Sequence, residues 1–105
     1  MAFKDSTDEK FQEQISSEKL SLVQFSASWC GPCQMIKPIV EKISENLSEK
    51  IDCYYHDIEN EPNKPVEYSV RGVPTIVLFK NGKLVGTKVG ASNEKDILEF
   101  INPHL

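Results

Sequence analysis

The run Leu20-Ser21-Leu22-Val23-Gln24-Phe25-Ser26-Ala27-Ser28-Trp29-Cys30-Gly31-Pro32-Cys33-Gln34-Met35-Ile36 decides how the chain is built. Its first eight residues, Leu20 to Ala27, are apolar and strand-like. They are apolar on both faces, as a central strand of a covered sheet should be. Beyond Cys33, the residues Met35, Ile36, Ile39, Val40, Ile43 and Leu47 recur at helical spacing. Two cysteines separated by two residues therefore sit where a buried strand hands over to a long helix. Unpaired backbone N–H groups and the positive end of the helix dipole favour an anion there. For a cysteine that anion is the thiolate, its reactive form. Gly31 permits a tight turn, and Pro32 suits a first helical turn because no N–H is needed.

Working outward, Ser6-Thr7-Asp8-Glu9 reads as a capping box, with a first helix expected over Thr7 to Ser17 carrying Phe11 and Ile15 on one face. The helix after the cysteines is expected to run to about Glu49, with Pro38 kinking it because Pro38 cannot donate to the Gln34 carbonyl. Ile51 to Asp57 is a second strand, joined to the first by a right-handed parallel crossover. Pro62 and Pro65 leave room only for a short, irregular helix between Glu59 and Val70. Thr75 to Phe79 and Lys83 to Val89 form a hairpin about Asn81-Gly82. A last helix, capped by Ser92 or Asn93, turns Ile97, Leu98 and Ile101 inward and stops at Pro103. Phe3 marks a marginal edge strand. The expected order is helix, strand, helix, strand, helix, strand, strand, helix, an α/β arrangement in one domain spanning residues 1–105.

Composition narrows the function. Apolar residues make up 39% and charged residues 27% of the 105, as in ordinary globular chains. A net charge of −4 and scattered basic residues argue against binding nucleic acid by phosphate neutralisation. No stretch is long and apolar enough to span a bilayer, and Met1 to Ser6 is polar too early for a signal peptide. Three cysteines, an odd number, do not form a disulfide framework; a reducing cytoplasm is the expected home.

The residues Trp29-Cys30-Gly31-Pro32-Cys33, Pro38, Arg71-Gly72-Val73-Pro74-Thr75, Phe79-Lys80-Asn81-Gly82 and Val89-Gly90-Ala91 together resemble the thioredoxin family over essentially the whole chain. A bare CxxC is a weak signal. A CGPC preceded by Trp, following a strand, with Val-Pro-Thr further on, is a strong one. The resemblance implies the thioredoxin fold, a central mixed sheet of four to five strands flanked by about four helices. It implies Cys30 as an exposed nucleophile, Cys33 as a buried resolving thiol, and Pro74 as a cis-proline facing them. Trp29, Gly31, Pro32, Val73, Gly90 and Ala91 would form the apolar surface that receives substrate, with the Val73 backbone free to pair with an extended peptide. The implied activity is protein disulfide reduction with no bound cofactor. Its partners would be disulfide-containing clients and a flavin-containing thioredoxin reductase that uses NADPH, and the chain is expected to be a monomer. The competing reading is a binding module that uses the same groove for docking without turnover; both cysteines and the Gly-Pro pair favour the enzyme.

In one respect the chain departs from the family pattern. Gln24 stands where a buried aspartate usually manages protons at the second cysteine, and Tyr55 where a buried lysine commonly accompanies it. Losing both avoids one unpaired buried charge. Gln24 can hydrogen-bond or position a water but cannot serve as a base near neutral pH.

Other residues have plainer readings. Cys53 and His56 have C-x-x-H spacing after the CxxC, which imitates half of a zinc site. Strand alternation sets them on opposite faces, which argues against a metal. Cys53 is expected to be a small buried hydrophobe, His56 and His104 to be solvated, Tyr54 and Tyr55 to serve packing, and the Met35 to Leu47 stripe to be core.

Overall fold

The computed structural model describes residues 3–105. Five strands and four helices appear in the order β1 (Phe3–Asp5), α1 (Phe11–Ile15), β2 (Leu20–Ser26), α2 (Gly31–Asn46), β3 (Ile51–Asp57), α3 (Asn63–Glu67), β4 (Thr75–Lys80), β5 (Lys83–Val89) and α4 (Glu94–Ile101), followed by one 3₁₀ turn, Asn102–His104. The sheet order is β1-β3-β2-β4-β5. β3 is parallel to both β1 and β2, whereas β4 runs antiparallel to β2 and to β5. The sheet is therefore mixed, with β2 at its centre and every residue of β2 buried.

Alternation along the strands builds two cores. Leu20 and Leu22 of β2, Cys53 of β3 and Ile76 and Leu78 of β4 pack against Ile36, Val40 and Ile43 of α2 and Ile97 and Ile101 of α4. Val23, Phe25, Val77 and Phe79 face the other way, onto Phe11 and Ile15 of α1. Phe11 is the hub of that second core, with the rings of Phe25, Phe79, Tyr68 and His56 all 5.4–6.1 Å from its own. The hairpin closes as its sequence predicts: Asn81 (φ 53°) and Gly82 (φ 79°) both take positive φ, the combination that a two-residue turn matched to strand twist requires. Of the two candidate caps for α4, Asn93 is the one used, its Oδ1 accepting from Asp96 N at 2.8 Å.

Four expectations are corrected. The first helix is shorter than Thr7–Ser17, and Ser6 does not cap it; the Ser6 hydroxyl is buried and bonded to His56 and Gln14 instead. α2 stops at Asn46, with Leu47 N closing the last turn onto Ile43 O. His56 is not solvated but fully buried, and His104 is half-buried. Met35 is not core: it is 74% exposed, while its neighbour Ile36 is buried. The i, i+1 pair in the apolar stripe straddles the edge of the buried face, and only one member fits inside.

Candidate active site

The handover from β2 to α2 places the cysteines. Cys30 is the N-cap of α2, with extended backbone, and its sulfur accepts from Cys33 N at 3.2 Å. Gly31 and Pro32 occupy the first helical positions and Cys33 the next, so both sulfurs meet at the helix start. The two are joined in a disulfide, with Cα atoms 5.3 Å apart. Cys33 is fully buried, and Cys30 is only 5% exposed, narrower access than "exposed nucleophile" suggests. Ala27 lies in the same small cluster, with Ile58 and Val73 packed against it.

Around this pair the neighbours are arranged by the loops that end the strands. Trp29 stands 67% exposed immediately before Cys30. The Val73–Pro74 peptide is cis, Pro74 is buried, and Thr75 Oγ1 donates to Gly72 O at 2.7 Å. Gly90 N donates to Pro74 O at 2.9 Å, which fixes the β5 end beside the proline. Gly90 has φ 94°, a conformation that a side chain would strain. Gly31, Pro32 and Ala91 are exposed on the same rim.

Beneath the cysteines lies Gln24, fully buried on the α2 face of β2. Its Nε2 donates to Cys33 O at 3.1 Å and to Ser26 Oγ at 3.4 Å. Its Oε1 is buried without a protein partner. Tyr55 pairs in register with Gln24 on β3, and its hydroxyl and the Ala27 carbonyl both engage Gln34 Nε2 at 3.1 Å. Lys37 Nζ sits 4.4 Å from the centre of the Tyr55 ring. Gln34 and Ile58 are supports that sequence reasoning missed. Gln34 had a signal, since it directly follows the second cysteine; Ile58 had none.

Cys53 is fully buried in the α2-side core, and burial, with Asp52 adding to it, pushes its thiol up to about 12. It is a packed, unreactive thiol. His56 points to the opposite face, between Phe11 and Phe25, so the zinc-like pair never converges. Among the described residues, no cluster of three or more His, Cys, Asp or Glu side chains is placed to hold a metal ion, and no helix is long and apolar enough to cross a membrane.

The arrangement is a dithiol–disulfide couple at a helix start, under an apolar rim. Known proteins agree with that chemistry. The thioredoxin family model matches residues 2–103. The chain is 42% identical over 97 residues to a thioredoxin of Rickettsia felis, spanning 91% of this chain and 92% of that protein. It is 41% identical over 100 residues to a thioredoxin of Acidithiobacillus ferridurans (94% and 93%). It is 42% identical over 100 residues to a thioredoxin of Buchnera aphidicola subsp. Baizongia pistaciae (94% and 92%).

Proposed function

The chain belongs to the thioredoxin family and is a thiol–disulfide oxidoreductase, and we propose that it works as one thioredoxin domain in which Cys30 attacks and Cys33 resolves. The observation that carries the assignment is the asymmetry of the pair: Cys30 retains an opening to solvent, and Cys33 has none. Starting from the dithiol, Cys30 thiolate attacks one sulfur of a client disulfide, forming a mixed disulfide and expelling the other client sulfur as a thiolate. Cys33, as thiolate, attacks Cys30 Sγ and releases the second client sulfur. Two electrons pass to the client, and the Cys30–Cys33 disulfide seen here is the product state.

In this reading Trp29, Gly31, Pro32, Val73, Pro74, Gly90 and Ala91 receive the client. The exposure of Trp29, Gly31, Pro32 and Ala91, the packing of Val73 on the cysteine cluster, and the bond from Gly90 N to the carbonyl of the adjoining Pro74 support the role. Gln24 anchors the Cys33 carbonyl from below. Because Gln24 supplies no titratable group, the Cys33 proton leaves through water or a client group. Thioredoxins need no bound cofactor; we assign recharging to a flavin-containing thioredoxin reductase drawing on NADPH. The protein acts as a monomer in a reducing cytoplasm, where the unpaired Cys53 thiol stays reduced.

Insulin disulfide reduction, driven by dithiothreitol, tests the assignment. The wild type accelerates it and Cys30→Ser abolishes the acceleration. In the reduced protein iodoacetamide modifies Cys30 far faster than Cys53. Equal alkylation of the two, or full activity in Cys30→Ser, overturns it.

A further inference from the structure

Beside Pro32, the N-terminal half of α2 and the start of α4 enclose an open cleft of about 470 Å³. The wall from α2 is apolar, made by Pro32, Met35, Ile36 and Ile39, and the facing wall is Ala91 followed by the polar Ser92 and Asn93. The cleft carries a single ionisable side chain, Asp96, in the first turn of α4. Asp96 is exposed, and among the described residues its carboxylate has no side-chain partner; Glu94, two residues before it, is taken by Lys42 at 3.3 Å. Lys95, between them in sequence, is exposed and does not line the cleft. Met35, largely exposed at the mouth, is an unbranched, adaptable side chain suited to covering an aliphatic stem.

We propose that this cleft is a specificity pocket for the client segment beside the attacked disulfide, and that it takes a lysine or arginine side chain. The aliphatic stem lies over Met35 and Ile39, and the cationic head meets Asp96. This rests on the disulfide-reductase reading above and adds to it the chemistry of the preferred client. One observation ties the occupant to the client, and two more favour a basic occupant over a purely apolar one. The cleft is continuous with the rim of the disulfide through Pro32, so whatever fills it is joined to the reacting client. An amphipathic side chain buries its stem while keeping its charge in water, which matches an apolar α2 wall facing a polar wall that ends in a carboxylate. The chain's net charge of −4 adds a long-range bias in the same direction.

The test uses short cyclic peptides closed by one disulfide, identical except for one residue next to a cysteine, which is Arg, Leu or Glu. The pre-reduced protein is mixed with each, single-turnover reduction is quenched with acid, and the reduced peptide is separated and counted. Wild type reduces the Arg peptide fastest and the Glu peptide slowest, with Arg over Leu by about fivefold, the scale of one exposed ion pair. The preference shrinks as salt is raised to 1 M. In Asp96→Asn the Arg and Leu rates converge, and in Asp96→Lys the Glu peptide overtakes the Arg peptide. Equal rates for Arg and Leu in wild type, or an Arg preference that survives Asp96→Asn, overturns the pocket while leaving the reductase intact. Failure to reduce any of the three, with Cys30→Ser indistinguishable from wild type, overturns the parent reading and the pocket with it.

Discussion

Two buried polar side chains sit on opposite faces of the same pair of strands, and they are treated in opposite ways. His56 of β3 is fully buried between Phe11 and Phe25, and both ring nitrogens are engaged. Nε2 lies 2.8 Å from Glu61 O and 3.3 Å from Asp8 Oδ1, and Nδ1 lies 2.7 Å from Ser6 Oγ. A carbonyl oxygen only accepts, so in the neutral ring the proton sits on Nε2 and Ser6 donates to Nδ1. Ser6 Oγ in turn accepts from Gln14 Nε2 at 2.8 Å. Gln24 of β2, equally buried, spends its donor on Cys33 O and Ser26 Oγ and leaves Oε1 unpartnered in the protein. Far from the cysteines, the polar group is saturated by protein partners and acts as a tie; under the disulfide, one acceptor has no partner among the described residues. Buried polar groups are costly when left unpaired and stiffening when fully paired. The contrast separates a site built for holding from a site next to atoms that change their bonding.

Breaking the saturated side has the largest expected effect. His56→Leu leaves Ser6 Oγ without its acceptor and Glu61 O without its donor, inside a core that otherwise packs the same. It should cost about 3 kcal/mol of stability, the sum of two stranded polar groups, read by urea unfolding of the oxidised protein at pH 7. The damage should be local. Ser6 N, which donates to Tyr55 O at 2.9 Å and holds the β1 edge, should exchange its hydrogen much faster. Insulin reduction below the unfolding transition should not change. A loss under 1 kcal/mol would mean that the network decorates the fold rather than tying it.

That network was not legible in the sequence. The strand–helix handover, the hairpin and the α4 cap all depend on neighbours within a few residues, so local pattern suffices for them. His56 depends on Ser6, Asp8 and Glu61, and the first two lie some fifty residues away along the chain. The same polar composition therefore read as solvated histidine and as a capping box at Ser6. The disulfide pair was readable because Cys30 and Cys33 lie on one helical turn. The Met35–Asp96 cleft was not, because its two walls come from α2 and from the loop into α4 with that helix's first turn, and period alone put Met35 in the core. Gln24 was placed by resemblance, but its orphaned Oε1 could be found only once the Cys33 carbonyl had been located.

A middle-sized effect sharpens the comparison with a buried group that needs no partner while protonated. The Cys53 thiol is pushed up to about 12 in the folded protein from an ordinary 9.0. Unfolded chains lose that proton from about pH 9, folded chains keep it, so the unfolded state binds fewer protons and stability falls as pH rises between those values. The contribution is whole below pH 9 and reaches a loss of about 1.4 kcal/mol by pH 10. Burial also raises the Tyr54 and Tyr68 phenols, so the decline is isolated as a difference. With the Cys30–Cys33 disulfide kept oxidised, Cys53→Ala should lose stability less steeply than wild type from pH 9 to 10.5. Parallel slopes would mean that the thiol ionises in place, and that this core is wetter than its packing implies.

The smallest effect on stability is expected at Gln24. Gln24→Leu removes the donor that holds Cys33 O at 3.1 Å and reaches Ser26 Oγ only at a long 3.4 Å, which costs about one good hydrogen bond, and it removes the unpartnered Oε1, which returns a desolvation penalty of similar size. The two should nearly cancel, leaving a change within about 1 kcal/mol, against about 3 for the same kind of substitution at His56. Gln24→Asp separates stability from chemistry at the same position. A carboxylate there is dearer to bury than an amide, so the fold should weaken. It can also take a proton, which the amide cannot, so reduction of insulin near neutral pH should run faster as Cys33 is relieved of its proton on the way to breaking the mixed disulfide. A leucine variant as unstable as His56→Leu would erase the distinction between the two faces. An aspartate variant no faster than wild type would mean that water already carries that proton without delay, and that the spare acceptor under Cys33 is a matter of packing alone.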